Sequence, residues 1–194
     1  MNGANLANGS KTAKRRELDF YPTPPEATHA LMRFLKLPIC RIWEPACGDG
    51  AMSKVLSSYG HKVVSTDLRD TGFGEGGVDF LETPARLVDA IITNPPFAQS
   101  QTFISRATFM ADTVAMLLKS QYWHAQKRLS LFRLNPPAWV LPLTWRPDFM
   151  GGASGGAPTM EVHWTVWIKG QTDTRMRLLE KPGMDLRNGE LPWK

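Results

Sequence analysis

The stretch "RIWEPACGDGAMSKVLSSYGHKVVSTD", Arg41 to Asp67, decides the fold. Arg41-Ile42-Trp43 reads as a strand, a short apolar run stopped by turn residues. "AMSKVLSSYG" reads as a helix ended by Gly60, and "HKVVSTD" as a second strand that Asp67 closes. A strand, a glycine-bearing turn, a helix and another strand form the unit from which parallel sheets are built.

The alternation continues on both sides. Upstream, Pro24-Pro25 and the apolar residues Ala30, Leu31, Phe34 and Leu35 predict a helix from about Pro25 to Lys36. Downstream, "GFGEGG" reads as a flexible loop, Val78-Asp79-Phe80 as a short strand end and Ala90–Asn94 as a strand. Residues 99–111 predict a helix with Phe103, Ala107 and Met110 on one face. "TVAMLLK" is the next buried strand, and 123–133 a further helix. Val140-Leu141 and "VHWTVWIKG" are late strands, the second alternating like a half-buried one, with the loop "FMGGASGGAP" between them. The expectation is an α/β, doubly wound sheet over residues 17–170, flanked by a flexible basic tail (1–16) and an irregular C-terminal tail (171–194). Within it, 119–160 is expected to hold the substrate-recognition elements. No internal repeat is visible.

Composition narrows the function classes. With 194 residues, 42% hydrophobic and 21% charged, the chain can bury a sizeable core. A formal charge of +5 makes an acidic partner, nucleic acid first, a natural expectation. Cys40 and Cys47 are the only cysteines, which excludes a disulfide framework and a cysteine-rich zinc site; the four histidines lack paired ligand spacing, so no metal is expected. No apolar run reaches the roughly 18 residues that span a bilayer, and the N-terminus is polar. We therefore expect a cytoplasmic protein with no membrane partner; its oligomeric state is not legible.

"WEPACGDG", Trp43 to Gly50, lies where the first strand meets the helix. Gly48 and Gly50 let backbone approach a ligand there. A dinucleotide fingerprint would need a third glycine at position 53, which is Ser53. Glu44 would repel a pyrophosphate but suits a cationic ligand, such as the sulfonium and α-ammonium of S-adenosylmethionine. Asp67, seventeen positions after Gly50, can take two ribose hydroxyls. Asp79 and Phe80 offer a carboxylate and a ring to an adenine. Each has a plainer alternative: Glu44 as a cap, Asp67 as a turn residue, Phe80 as core.

A fourth segment is "IITNPPF", Ile91 to Phe97, in which two prolines end a core strand abruptly. "EPACGDG", "STDL", "GVDF" and "NPPF", in that order, resemble motifs of the class I S-adenosylmethionine-dependent methyltransferases. With "DFYPTPPEAT" upstream, the closer resemblance is to small phage and prophage DNA N6-adenine methyltransferases, over roughly residues 19–170. The resemblance implies a mainly parallel seven-stranded sheet with a reversed edge hairpin, and S-adenosylmethionine as cofactor. It also implies cofactor contacts from Tyr21, Thr23, Glu44, Ala46, Gly48, Gly50, Asp67, Leu68, Asp79, Phe80 and Asn94.

An aryl amine is a poor nucleophile because its lone pair is delocalised into the ring. Two acceptors aimed at its hydrogens, the Asn94 side-chain carbonyl and the Pro95 backbone carbonyl, would draw the nitrogen toward sp³ geometry for in-line attack. Pro95 and Pro96 hold the acceptors rigid, and Phe97 would stack on the base. The plainer reading is a strand stop with Phe97 in the core. The motif itself specifies an sp² nitrogen; related motifs serve RNA guanine amines and protein glutamine amides.

From Lys119 to Arg146 there are five Lys or Arg and no Asp or Glu, with Tyr122, Trp123, Phe132, Trp139 and Trp145 among them. Basic and stacking residues together suit a phosphate-tracking, base-handling surface. Lys119, Trp123, Lys127, Arg128, Trp145 and Arg146 are the candidates, with Trp123 and Trp145 as stacking partners for a flipped base; Phe132 is assigned to the core. The expectation is a DNA adenine-N6 methyltransferase with a short or relaxed target. The alternatives are an RNA or protein amino-nitrogen methyltransferase, or a catalytically silent cofactor- or nucleic-acid-binding protein.

Overall fold

Strands covered on both faces need near-continuous apolar runs. Three segments meet that need: β1 (Arg41–Glu44), β3 (Ala90–Thr93) and β4 (Thr113–Lys119). In the computed structural model, which describes residues 22–150 and 160–183, they lie side by side at the centre of one sheet. β2 (Lys62–Ser65), β5 (Trp139–Pro142), β6 (Val162–Ile168) and β7 (Arg175–Met176) complete it, in the order β2-β1-β3-β4-β6-β5-β7. The four strands from β2 to β4 are parallel; β6 runs antiparallel to both β4 and β5. This is the expected seven-stranded, doubly wound sheet, with the reversed strand β6 set two places in from the short β7 edge.

The double winding follows from the period of two along each strand. Ile42, Ile92, Ala115 and Leu117 face one layer, formed by α1 (Pro25–Leu35) and α2 (Ala51–Ser58) through Leu31, Met32, Met52 and Leu56. Trp43, Ile91, Val114 and Met116 face the other, formed by α3 (Ser100–Met110) and α4 (Leu129–Leu134) through Phe103, Ile104, Ala107 and Leu131. Trp164 of β6 donates its indole N–H to the Ala27 carbonyl at 2.9 Å, pinning α1 to the sheet.

Several expectations change. Val78-Asp79-Phe80 forms no strand. The place beside β2 is taken by a single parallel bridge between Thr66 and Glu75. Gly72, Gly74 and Gly77 all have positive φ, and Gly74 passes so close to the Ser65 carbonyl that no side chain fits. "GFGEGG" is therefore a packed loop with a fixed path. β6 is buried almost throughout instead of alternating, because β4 and β5 flank it and both layers cover it. The helix expected at 123–133 is broken into 3₁₀ turns at Ser120–Trp123 and Gln126–Arg128, followed by α4. Part of the C-terminal segment expected to be irregular supplies β7 and a bridge from Leu179 to Leu143. The basic tail (1–16), Tyr21 and residues 151–158 lie outside the described residues.

Candidate functional site

Parallel strands bring their carboxyl ends to one edge, and there the turns after β1, β2 and β3 enclose a cleft of about 420 Å³. The β1–α2 turn forms one wall through Pro45 to Asp49. Gly48 (φ 53°) and Gly50 (φ 80°) give it its left-handed bends. The Gly48 N–H donates to Asp67 Oδ2 at 2.9 Å, and the Cys47 N–H to the Thr66 carbonyl at 3.0 Å.

From the opposite side the 70–77 loop clamps this turn. Thr71 donates its hydroxyl to the Gly48 carbonyl at 2.5 Å, and the Phe73 ring lies flush on Gly50. A Cβ at Gly50 would sit inside three ring carbons of Phe73 and would also hold the left-handed φ that costs an L-residue about 1–2 kcal/mol. Gly50→Ala should therefore destabilise the protein by about 2–4 kcal/mol, read as a lowered midpoint in urea unfolding. Gly50 itself caps α2, one residue behind the cleft wall. Phe73 and Thr71 were not singled out in the sequence; the signal was an aromatic bracketed by glycines, Gly72-Phe73-Gly74, just after the second strand.

The cleft is acidic. Glu44, Asp49, Asp67 and Asp79 line it against a single arginine, Arg69. Glu44 is 2% exposed; it accepts the Ser53 hydroxyl, which lies 2.6 Å from that of Ser65. Burial pushes its carboxyl up to about 8, against the opposing Ser53 hydrogen bonds, and the charges of Asp49 and Asp67 add to the rise. The Cys47 thiol is likewise pushed up to about 12, by burial first and then by Glu44 and Asp67. Because the folded value for Glu44 lies above its unfolded one, its contribution to stability is complete below the unfolded value and is lost as pH rises through about 8. Thermal unfolding of the ligand-free protein should fall from pH 6 to 9, and Glu44→Gln should flatten that slope.

Asp67 is buried and already engaged: Oδ2 takes the Gly48 N–H, and Oδ1 takes the Arg69 backbone N–H at 2.9 Å and its Nε at 3.3 Å. Two carboxylate oxygens offer about four lone-pair sites, so capacity remains for a ligand. Leu68, 59% exposed, stands on the cleft wall as an apolar platform. Asp79 accepts the Leu81 N–H at 2.8 Å through one oxygen. Phe80 forms part of the cleft wall yet belongs to the core, packed between Trp43 and Phe103 at 5.1 and 4.7 Å. Thr23 and Ala46 also line the cleft.

At the other end is the segment after β3. Asn94 follows the strand directly, Pro95 is buried, and Phe97 opens the 3₁₀ turn Phe97–Gln99 that leads into α3. All four residues of Asn94-Pro95-Pro96-Phe97 line the cleft. The Asn94 amide donates through Nδ2 to Thr23 Oγ1 at 3.1 Å. The Ser100 hydroxyl caps the turn on the Phe97 carbonyl at 3.1 Å. Lys119, at the end of β4, holds its Nζ 4.0 Å from the centre of the Phe97 ring.

The other substrate candidates stand differently. Trp123 lies on Phe132 with ring centres 4.2 Å apart, and its N–H donates to His163 Nε2 at 2.9 Å. Burial lowers His163 to about 4, which keeps the imidazole neutral and able to accept. Trp123 is thereby a packing residue, and its expected role as a stacking face is corrected. Phe132 packs on the core as expected. Arg128 is latched to Tyr122, over its ring at 4.0 Å and onto its carbonyl at 2.6 Å. Trp145 and Arg146 line a second, open cavity of about 480 Å³, where Arg146 pairs with Glu161 at 2.6 Å. Lys127 is exposed. Of this set, Phe97 and Lys119 meet at the cleft.

Among the described residues no cluster of three or more His, Cys, Asp or Glu is placed to hold a metal ion, and no helix is long and apolar enough to cross a membrane. No family model matches the sequence, and no curated protein does. Solved structures match the fold. A protein of Pyrococcus horikoshii, provisionally described as an RNA methyltransferase, superposes with a TM-score of 0.58 at 13% identity, over 74% of this chain and 81% of the other. The methyltransferase subunit of a type I restriction-modification system from Streptococcus thermophilus gives 0.59 at 11% identity, over 79% of this chain and 45% of the other. The modification subunit of a provisionally described type I restriction enzyme from Vibrio vulnificus gives 0.59 at 12%, over 94% and 52%. The chain thus spans about half the length of the two restriction-system subunits. What is shared is the class I methyltransferase fold.

Proposed function

We propose that this chain transfers a methyl group from S-adenosylmethionine to the exocyclic N6 amine of adenine in DNA. The observation that carries the reading is one cleft with an acidic, glycine-turned wall at one end and Asn94-Pro95-Pro96-Phe97 at the other. Asp49, Asp67 and Asp79 against one arginine, with Glu44 able to give up its proton beside a cation, suit a cationic nucleoside and oppose a phosphate-bearing one. When bound, S-adenosylmethionine would supply an electrophilic sulfonium methyl. Asp67 would take its ribose hydroxyls, Leu68, Asp79 and Phe80 its adenine, and Glu44, Ala46, Gly48 and Thr23 its remainder, with Tyr21 assigned by resemblance alone.

The chain's own residues account for nucleophile activation. Asn94 Oδ1 and the Pro95 carbonyl accept the two amine hydrogens and localise the nitrogen lone pair toward the methyl donor. No strong base is needed, because the alkylated amine is acidic enough to lose its proton to water. Phe97 holds the base flat, and Lys119 puts a cation beside it where the DNA backbone must approach. A base in a duplex must be flipped out to reach this depth. The choice of DNA is supported by the basic segment 119–146 and by the type I restriction-modification subunits among the structural likenesses.

The RNA enzyme among those likenesses keeps a second reading in view, an RNA amino-nitrogen methyltransferase. Incubation with methyl-labelled cofactor and separate DNA, RNA and ribosomal protein fractions distinguishes them. Label is expected in DNA; label confined to RNA or protein would overturn the DNA assignment.

A further inference from the structure

Lys119, whose ammonium stands over the Phe97 ring, is followed directly by Ser120, and Ser120 forms part of the wall of the second cavity. That cavity of about 480 Å³ lies at the same edge of the sheet as the cleft, where β4 and β5 end and β6 begins. Its place follows from the strand order. β6 runs against both neighbours, so its first residues meet their last ones: Val162 pairs with Lys119 and His163 with Pro142. Neighbouring strands stand about 4.8 Å apart, which puts the cavity about 5–15 Å along the edge from Asn94 at the end of β3. Stacked nucleotides advance about 3.4 Å each, so a strand with its adenine at Asn94 passes the cavity within about four nucleotides.

The lining differs from that of the acidic cleft. Trp145 lines the cavity and also packs on the apolar core, which holds its ring in place. Backbone bonds fix the walls: the Ser120 N–H donates to the Glu161 carbonyl at 2.9 Å, and the Thr144 N–H to the Leu179 carbonyl at 3.0 Å. Among the described residues the one acid of the lining is Glu161, and Arg146 Nη2 meets its charge at 2.6 Å. A guanidinium has five N–H donors, so Arg146, with its side chain 58% exposed, keeps donors for a phosphate. An aromatic plane beside a guanidinium suits a base together with its phosphate.

We propose that this second cavity is a nucleotide subsite: it takes a nucleotide of the methylated strand within about four positions of the target adenine, with the base against Trp145 and the phosphate on Arg146. This rests on the function proposed above and locates a flanking-base preference at one position of the strand.

Trp145→Leu, which keeps an apolar side chain on the core, forms the test with a duplex that carries one target adenine and abasic residues placed singly along the methylated strand. In wild type one position within about four of the target should raise the KM for DNA about tenfold when its base is removed. In Trp145→Leu the same position should cost less than about twofold, and every other position should cost what it costs wild type. Cofactor affinity should stay within about twofold of wild type, because Trp145 lies outside the first cleft. Arg146→Gln should lower the salt slope of DNA binding by about one. Should Trp145→Leu not fold, Ser120→Phe fills the cavity from another wall and should erase the same positional cost. Independently of transfer, the Trp145 indole N–H resonance, assigned by its loss in Trp145→Leu, should shift when a short adenine-containing DNA strand is added. An abasic profile that Trp145→Leu leaves unchanged, a loss spread evenly over all positions, or an unmoved indole resonance would each overturn the proposal. If wild type methylates no DNA while the resonance still shifts, the proposed function falls and the nucleotide subsite stands.

Discussion

Asn94→Ala should lower methyl transfer by at least about 10²–10³-fold while leaving cofactor binding largely intact. The alanine removes the side-chain acceptor that directly follows β3, and the Pro95 carbonyl alone cannot engage both amine hydrogens. An aryl amine left half-engaged keeps its lone pair in the ring, so the loss falls on the chemical step. The fold should tolerate the change, because Asn94 is only partly buried and its bond to Thr23 leaves a hydroxyl that can turn elsewhere. Single-turnover transfer and calorimetric titration with the cofactor separate the two effects. Near-normal turnover in Asn94→Ala would refute the mechanism.

Asp67→Ala should weaken cofactor binding by about 10²-fold and shift the loss to cofactor affinity, the reverse of Asn94. Asp67 has two duties in this structure. It would receive the ribose hydroxyls, and it already holds the Gly48 N–H at 2.9 Å and the Arg69 N–H at 2.9 Å. Removing it leaves the Gly48 N–H without its acceptor, a cost of about 1–3 kcal/mol, and frees the turn that shapes the cleft. Asp67→Asn keeps an acceptor for Gly48 but loses the charge, and should fall between wild type and alanine. Titration of each variant, with rate measured at saturating cofactor, checks the order.

The central architecture was legible because local chemistry and fold agreed there. Val114–Leu118 could only be a buried strand, and Gly48 and Gly50 could only mark a tight turn at a strand end. Glu44, Asp67 and Asn94 were visible for the same reason, because each stands at the carboxyl end of a strand whose direction was clear, whereas Asp79 and Phe80 reach the cleft from a segment that forms no strand. What was hidden depended on contacts distant in sequence. Phe73 on Gly50 and Thr71 on Gly48 arise from a glycine loop whose path no periodicity encodes. Trp123 looked like a free stacking face until Phe132 and His163 were seen to claim it. β6 carried an alternating pattern, yet its place between two strands buried both faces. Pattern gives exposure only when neighbours are known.

The electrostatics of the cleft link fold to function most directly. Burial holds the proton on Glu44 up to about pH 8, and a cationic ligand beside it would draw that proton off. Ligand uptake below that pH should release a proton, a consequence of burying a carboxyl beside two others.

The measurement that bears most directly on the whole account is methylome sequencing of a methylation-free bacterial host expressing the chain. The account predicts N6-methyladenine in the host DNA, at a short or loosely defined site, and its disappearance with Asn94→Ala. DNA without N6-methyladenine in a host that contains the folded protein would contradict it.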